Sequence, residues 1–158
     1  MPVEARGSWA TGLRLGGRER PDHARGTGKG PPPLAGLTLD TGALIAADRN
    51  DRSFWAFFKE AVLRGVVPVI PAPVLAQAWR SPKQGRLSQL VNACWVEPLD
   101  EALAKSSGGL LARTKSSDIV DAAVVAGAAR RGDAVLTSDP RDLRRLAEVA
   151  GMVEVVRL

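Results

Sequence analysis

The stretch "SSDIVDAAVVAGAARRGDAVLTSDP", residues 116–140, decides the fold. Its centre, from Ala122 to Ala129, is alanine, valine and one glycine, apolar nearly all round, which is the composition of a buried helix rather than a surface one. That reading predicts a helix over about 118–131, with Gly132 as its stop. "AVLT" (134–137) then reads as a short buried strand, and Pro140 opens the next helix. Three carboxylates stand at the edges of this apolar unit: Asp118 and Asp121 at the front of the helix, and Asp139 just past the strand.

The same alternation runs outward in both directions. "LTLD" (37–40) is a first strand, and "ALIAA" begins a helix after Thr41-Gly42. "DRSFWAFFKEAVLRG" (51–65) carries Phe54, Phe57, Phe58, Ala61 and Val62 at helical spacing and stops at Gly65. "VVPVIP" (66–71) is strand-like, with Pro68 pushing it toward an edge or an end. "APVLAQAWR" and "KQGRLSQLVNA" are short helices, and "CWVEPL" is a third strand. "DEALAKSSGGLLAR" is helical but weakened by Gly108-Gly109, "PRDLRRLAEVAG" is a last helix, and "VEVVRL" is a last strand. Strands alternating with helices require crossover connections. The expected fold is therefore α/β: three layers, α/β/α, around a mainly parallel central sheet.

Composition limits the chemistry. The 158 residues suffice for one domain, 45% hydrophobic and 25% charged. No apolar run approaches the roughly 20 residues of a membrane span, and no signal-peptide core follows the N-terminal arginines, so the expected setting is cytoplasmic with no membrane partner. Cys94 is the single cysteine and His23 the single histidine. An internal disulfide, a cysteine-rich zinc site and a histidine-based triad are excluded, leaving oxygen ligands for any metal. Residues 1–36 hold eight of the 16 glycines and five of the 11 prolines, with six basic side chains against three acidic ones. This segment reads as a disordered basic tail preceding a domain at 37–158, and either a basic arm or an artefact of an upstream start site accounts for it. The net charge of +5 is compatible with a nucleic-acid partner.

In open α/β sheets, functional groups collect beyond the carboxyl ends of the strands, near the topological switch point. Asp40 ends the first strand and Asp139 follows the fourth. Asp118 and Asp121, spaced i, i+3, share one helix face. Each has an ordinary reading as well: Asp139 before Pro140 is a good N-cap, as is Asp118, and Asp121 complements the helix dipole. Asp40 ends an apolar strand without plainly starting a helix. If the four gather in one notch, pairs about 4 Å apart repel by roughly 4 kcal/mol at an effective dielectric near 20. Mg²⁺ or Mn²⁺, hard ions that take oxygen ligands, would relieve that repulsion, and such ions activate water and stabilise charge on phosphoryl oxygens.

"LDTGALIA", "DAAVVAGAA" and "LTSD", in this order, resemble the PIN-domain ribonucleases, notably the VapC-type toxins of toxin–antitoxin pairs. The resemblance covers residues 37–158. It implies a metal-dependent endoribonuclease in which Asp40, Asp121 and Asp139 hold Mg²⁺ or Mn²⁺, with RNA as substrate, a cognate antitoxin protein as partner, and a homodimer. One position departs from the family pattern: where a glutamate often follows the second strand, this chain has Gln77. Asp118, or Asp142 in "SDPRDL", can restore the fourth acid. Otherwise the domain is a catalytically weakened module that binds RNA or protein. Arg80 either steers a phosphate or pairs with a carboxylate, while Thr137 and Ser138 orient the acids or a water. Trp55 with its neighbouring phenylalanines forms either a groove for a partner helix or part of the core. Arg130-Arg131 and Arg144-Arg145 either follow an RNA backbone or are solvated helix faces.

Overall fold

The computed structural model describes residues 36–158. The expectations for His23 and for the tail, Gly36 aside, fall outside the described residues. Five strands and seven helices follow in the order β1 (Leu37–Leu39), α1 (Thr41–Asp48), α2 (Arg52–Leu63), β2 (Val69–Pro71), α3 (Ala72–Ala78), α4 (Gly85–Ala93), β3 (Trp95–Glu97), α5 (Glu101–Thr114), α6 (Ile119–Arg131), β4 (Ala134–Thr137), α7 (Arg141–Ala150) and β5 (Val155–Arg157). The sheet order is β3-β2-β1-β4-β5, and every pairing is parallel. This is the expected α/β sandwich. No described helix is long and apolar enough to cross a membrane.

The order dictates where the helices lie. From β1 the chain steps outward through β2 to β3. It then jumps back across both to β4 and continues outward to β5 on the other side. Right-handed crossovers put the helices of the first series on one face and those of the second on the opposite face. Accordingly α1 packs on α2, α3 and α4, whereas α5, α6 and α7 pack on one another. β1 and β4 lie side by side and send the chain to opposite faces, so the switch point falls between them.

Burial follows the same plan. β1, β2 and β4 are buried throughout, and the edge strands β3 and β5 are half-covered. In α6, Ala122 to Val125, Gly127 and Ala128 are buried, as its composition requires. Phe54 and Phe58 belong to the core, and Trp55 and Phe57 pack against it, with the Phe54 and Trp55 rings edge-on at 5.2 Å. Core packing thus accounts for the aromatic run. Gly108-Gly109 do not interrupt α5, which is one continuous helix. The second strand is shorter than "VVPVIP" suggested, because pairing begins only after Pro68, which has no N–H to donate.

Arg131 is buried rather than part of a solvated face, and Arg130, with its side chain 45% exposed, is ion-paired. Both guanidinium groups pair with Glu97, itself 1% exposed at the end of β3. Arg131 also donates to Asp133 Oδ2 at 2.7 Å and to Thr38 Oγ1 at 2.8 Å, and the Thr38 hydroxyl donates to Asp133 at 2.9 Å. This buried network ties the C-terminal end of α6 to β1, β3 and the start of β4. Gly127 makes room for it: a Cβ there would stand 2.6 Å from Glu97 Oε2 and 3.1 Å from Arg131 Nη1. Gly127→Ala should therefore lower the unfolding free energy by about 1–3 kcal/mol through overpacking, despite alanine's better helix propensity. Urea denaturation measures this, and a variant as stable as the parent would refute the crowding argument.

Candidate functional site

Asp40 follows β1 directly and is 7% exposed. It is the N-cap of α1, accepting from the Gly42 N–H at 3.4 Å, so it does start a helix. The same Oδ2 accepts from the Thr137 hydroxyl at 2.8 Å. Thr137, fully buried at the end of β4, accepts in turn from the Asp139 N–H at 3.0 Å. One hydroxyl thereby connects the two expected metal ligands at the two strand ends. Ser138 lies over the start of α1, where a Cβ on Gly42 would overlap its Oγ. Gly42 is thus required by the close approach of the β4–α7 loop rather than by its own backbone angles.

The helix α6 supplies the other two acids. Asp118 is its N-cap, accepting from Val120 N at 2.9 Å and Asp121 N at 3.1 Å. Asp121 follows in the first turn and is half-buried. Its carboxyl pKa is pushed up from 3.8 to about 7, first by burial and then by the charges of Asp118, Asp40, Asp142 and Asp139. Asp121 thus feels the other three acids predicted from sequence, together with Asp142. The capping reading of Asp139 is not borne out: α7 begins at Arg141 with Pro140 in the cap position, and Arg141 N reaches Asp139 Oδ1 only at 3.5 Å. Asp139 is exposed at the rim.

The accessory residues divide. Gln77, exposed on α3, accepts the Thr41 hydroxyl at 2.6 Å through Oε1, which attaches it to the first turn of α1 beside Asp40. Arg80 turns away, donating to the Trp79 carbonyl at 2.9 Å, and lines a separate cavity of about 260 Å³ with Asp48, Arg49, Gln77 and Gln84. No carboxylate pairs with it among the described residues. The sequence reading missed Thr41 and Gly42, although the small residues directly after Asp40 were the available signal. Burial pushes the Cys94 thiol up to about 12, so it is no nucleophile near neutral pH.

As placed, no group of three or more His, Cys, Asp or Glu side chains among the described residues is arranged to hold a metal ion. The donor chemistry nevertheless fits a hard divalent cation. The acids offer oxygen alone, and the pKa of Asp121 is raised first by burial and further by the negative charge of its neighbours. Asp118, Asp139 and Asp142 are exposed.

The titration of Asp121 has a consequence for stability. Between about pH 4 and 7 the folded state keeps a proton that the unfolded chain releases. Stability therefore falls as pH rises through that window, in the absence of divalent ions. Asp121→Asn should flatten this fall and leave the protein more stable than the parent above pH 7. Urea midpoints across the window test this; parallel pH profiles for the two proteins would refute it.

A family model described as the PIN domain matches residues 37–149. No curated protein matches the chain in sequence. Among solved structures, the chain is similar to one described as VapBC2 from Rickettsia felis bound to a DNA fragment from its promoter, with TM-score 0.63 and 12% identity over 77% of this chain and 98% of that one. It is similar also to FitAcB from Neisseria gonorrhoeae, with TM-score 0.57, 18% identity and coverage of 77% and 96%. A third, PAE2754 from Pyrobaculum aerophilum, gives TM-score 0.52, 16% identity and coverage of 77% and 90%. At these identities the structural likeness speaks to fold, and the family match covers most of the chain. The chain belongs to the PIN domain family.

Proposed function

We propose that this protein is a metal-dependent endoribonuclease that hydrolyses RNA phosphodiester bonds and acts as the toxin of a toxin–antitoxin pair. The observation that carries the reading is the half-buried Asp121 at the switch point of a PIN domain, its proton affinity raised first by burial and then by four neighbouring aspartates. Structural aspartates that merely cap helices have no need of such mutual repulsion.

Asp40, Asp121 and Asp139 are the residues that would hold Mg²⁺ or Mn²⁺, with Asp118 as the fourth acid and Asp142 at the margin. A bound ion of this kind supplies water activation and stabilisation of charge developing on the phosphoryl oxygens. The chain's own contribution is placement. Both hydrogen bonds to Asp40 fall on Oδ2, so Oδ1 would be the freer oxygen toward a cation. Thr137 orients Asp40 and the backbone of Asp139 together, and Gln77 anchored on Thr41 presents its amide to the same rim. Ser138 keeps the loop against α1, and Arg80 stands behind Gln77 as a more remote cation.

The toxin assignment draws support from the likeness to VapBC2, bound to a DNA fragment from its promoter, and to FitAcB. It carries with it a cognate antitoxin chain, a homodimer and a cytoplasmic setting. The second reading is a weakened RNA- or protein-binding module. Gln77 in place of an acid favours it, together with the lack of a close-set trio of ligands.

The discriminating experiment incubates the full-length chain with a mixed RNA pool, with Mn²⁺ or Mg²⁺ and again with chelator. Cleavage that requires the ion and is abolished by Asp40→Asn and Asp121→Asn is the expected result. In parallel, Mn²⁺ at about 100 times its Kd should raise the unfolding free energy by about 2.7 kcal/mol, and Asp121→Asn should remove that gain. Folded protein with neither cleavage nor metal stabilisation would favour the binding module.

A further inference from the structure

Five aspartates at one rim repel a polyanion, so an RNA strand approaching them needs cations beside them. The structure places such cations next to Asp139. A cavity of about 530 Å³ is lined by Ser138, Asp139, Pro140, Arg141, Arg144 and Arg157. Arg141 and Arg144 lie one turn apart on α7, on the same face. Arg157 arrives from β5, where it is the register partner of Thr137, the residue that holds Asp40. All three side chains are exposed. Among the described residues, none of their guanidinium groups has an ion-pair partner, in contrast to Arg130 and Arg131, which are both paired with Glu97.

Three guanidinium-bearing side chains from two elements line one concavity with a single carboxylate, that of Asp139, so the cavity carries an excess of positive charge that an anion would offset. Guanidinium groups suit a phosphate diester because their forked donors match its oxygens, and they also stack on bases. The volume lies in the range of small-ligand pockets, so a nucleotide fits with its phosphate. The cavity shares Asp139 and Ser138 with the acidic rim, so its occupant would be continuous with whatever lies at the aspartates.

We propose that Arg141, Arg144 and Arg157 bind a backbone phosphate of single-stranded RNA flanking the one presented to the aspartates. The proposal rests on the reading of the acidic rim as acting on RNA, and it adds the direction from which the strand runs: over α7 and β5 rather than past Arg80.

The test uses the full-length chain carrying Asp121→Asn, so that the RNA survives, and a fluorescein-labelled single-stranded oligoribonucleotide titrated at a series of KCl concentrations. Each phosphate contact on a single strand contributes about 0.7 to the slope of log K against log salt. Replacing all three arginines by glutamine should lower that slope by about 0.7, the contribution of one phosphate, and each single replacement by less. Arg52, Lys59 and Arg86, exposed on α2 and α4 in the other helical layer, serve as the control triple and should leave the slope nearly unchanged. Equal losses in both triples, no loss in the arginine triple, or no RNA binding at all would overturn the proposal. So would a poly-glutamate peptide of equal charge that displaces the RNA from the parent as well as unlabelled RNA does, which would reassign the cavity to an acidic protein segment. Cleavage by the wild-type chain separates the two readings. Ion-dependent cleavage with an unchanged slope removes the cavity and keeps the nuclease, whereas a lowered slope in a chain that never cleaves keeps the cavity and removes the nuclease.

Discussion

The hydroxyl of Thr137 holds together two strand ends whose chains part company. β1 and β4 are paired along their whole length, yet one continues into α1 on one face and the other into the α7 loop toward the opposite face. Divergence at that point opens a crevice, and a crevice lined by carboxylates would widen further through repulsion. Thr137 donates to Asp40 and accepts from the Asp139 backbone, spanning the divide with one buried side chain. Its burial matters as much as its chemistry, because a hydrogen bond to a charged group shielded from water is stronger than the same bond at the surface. Valine at this position would match its shape and lose both bonds.

The helix α6 is held from both ends, and the two ends are chemically opposite. At its start, Asp118 caps the helix and Asp121 faces the acidic rim. At its finish, Arg131 is buried among Glu97, Asp133 and Thr38. Between the ends the helix buries alanine, valine and glycine, side chains too small to interlock firmly with their neighbours. Apolar packing of that kind resists separation from the sheet better than it resists sliding or turning. A directional network at one end sets rotation and axial position, and those variables decide where the Asp121 carboxylate lies relative to Asp40. Buried ion pairs contribute little net stability against well-packed apolar side chains, so geometric definition is the better account of this one.

Most of the fold was legible because it depends on patterns that reside in contiguous residues. The buried strands are short apolar runs, the helix stops fall at Gly65, Gly132 and Gly151, and alternation of the two implies parallel crossovers. The proximity of Asp40, Asp121 and Asp139 was legible for the same reason, since each stands at or near the end of such an element. What was not legible depends on residues distant in the chain that the sheet brings together. Glu97 ends an edge strand and Arg131 ends a helix 34 positions later, and nothing local marks them as partners. Arg157 likewise reads as a polar residue near the C-terminus until β5 is placed beside β4. The cap at Asp139 failed for a local reason: the helix began one residue later than the Asp-Pro signal implied, because Pro140 has αR backbone angles in the cap position itself.

The Gln77 substitution can be weighed against this geometry. Gln77 accepts a hydrogen bond from Thr41 through its amide oxygen, an interaction a glutamate of the same length would also make. The exchange therefore preserves the anchor on α1 and removes one negative charge from the rim. The rim already raises the proton affinity of Asp121 through four other aspartates. A further carboxylate would add to that repulsion wherever no cation is present. Asp118 is itself a capping residue fixed by two backbone N–H groups, and a neutral residue at position 77 lessens the repulsion among the aspartates around Asp121. On the proposed function, Gln77 would tune the affinity of the rim for a cation rather than abolish it.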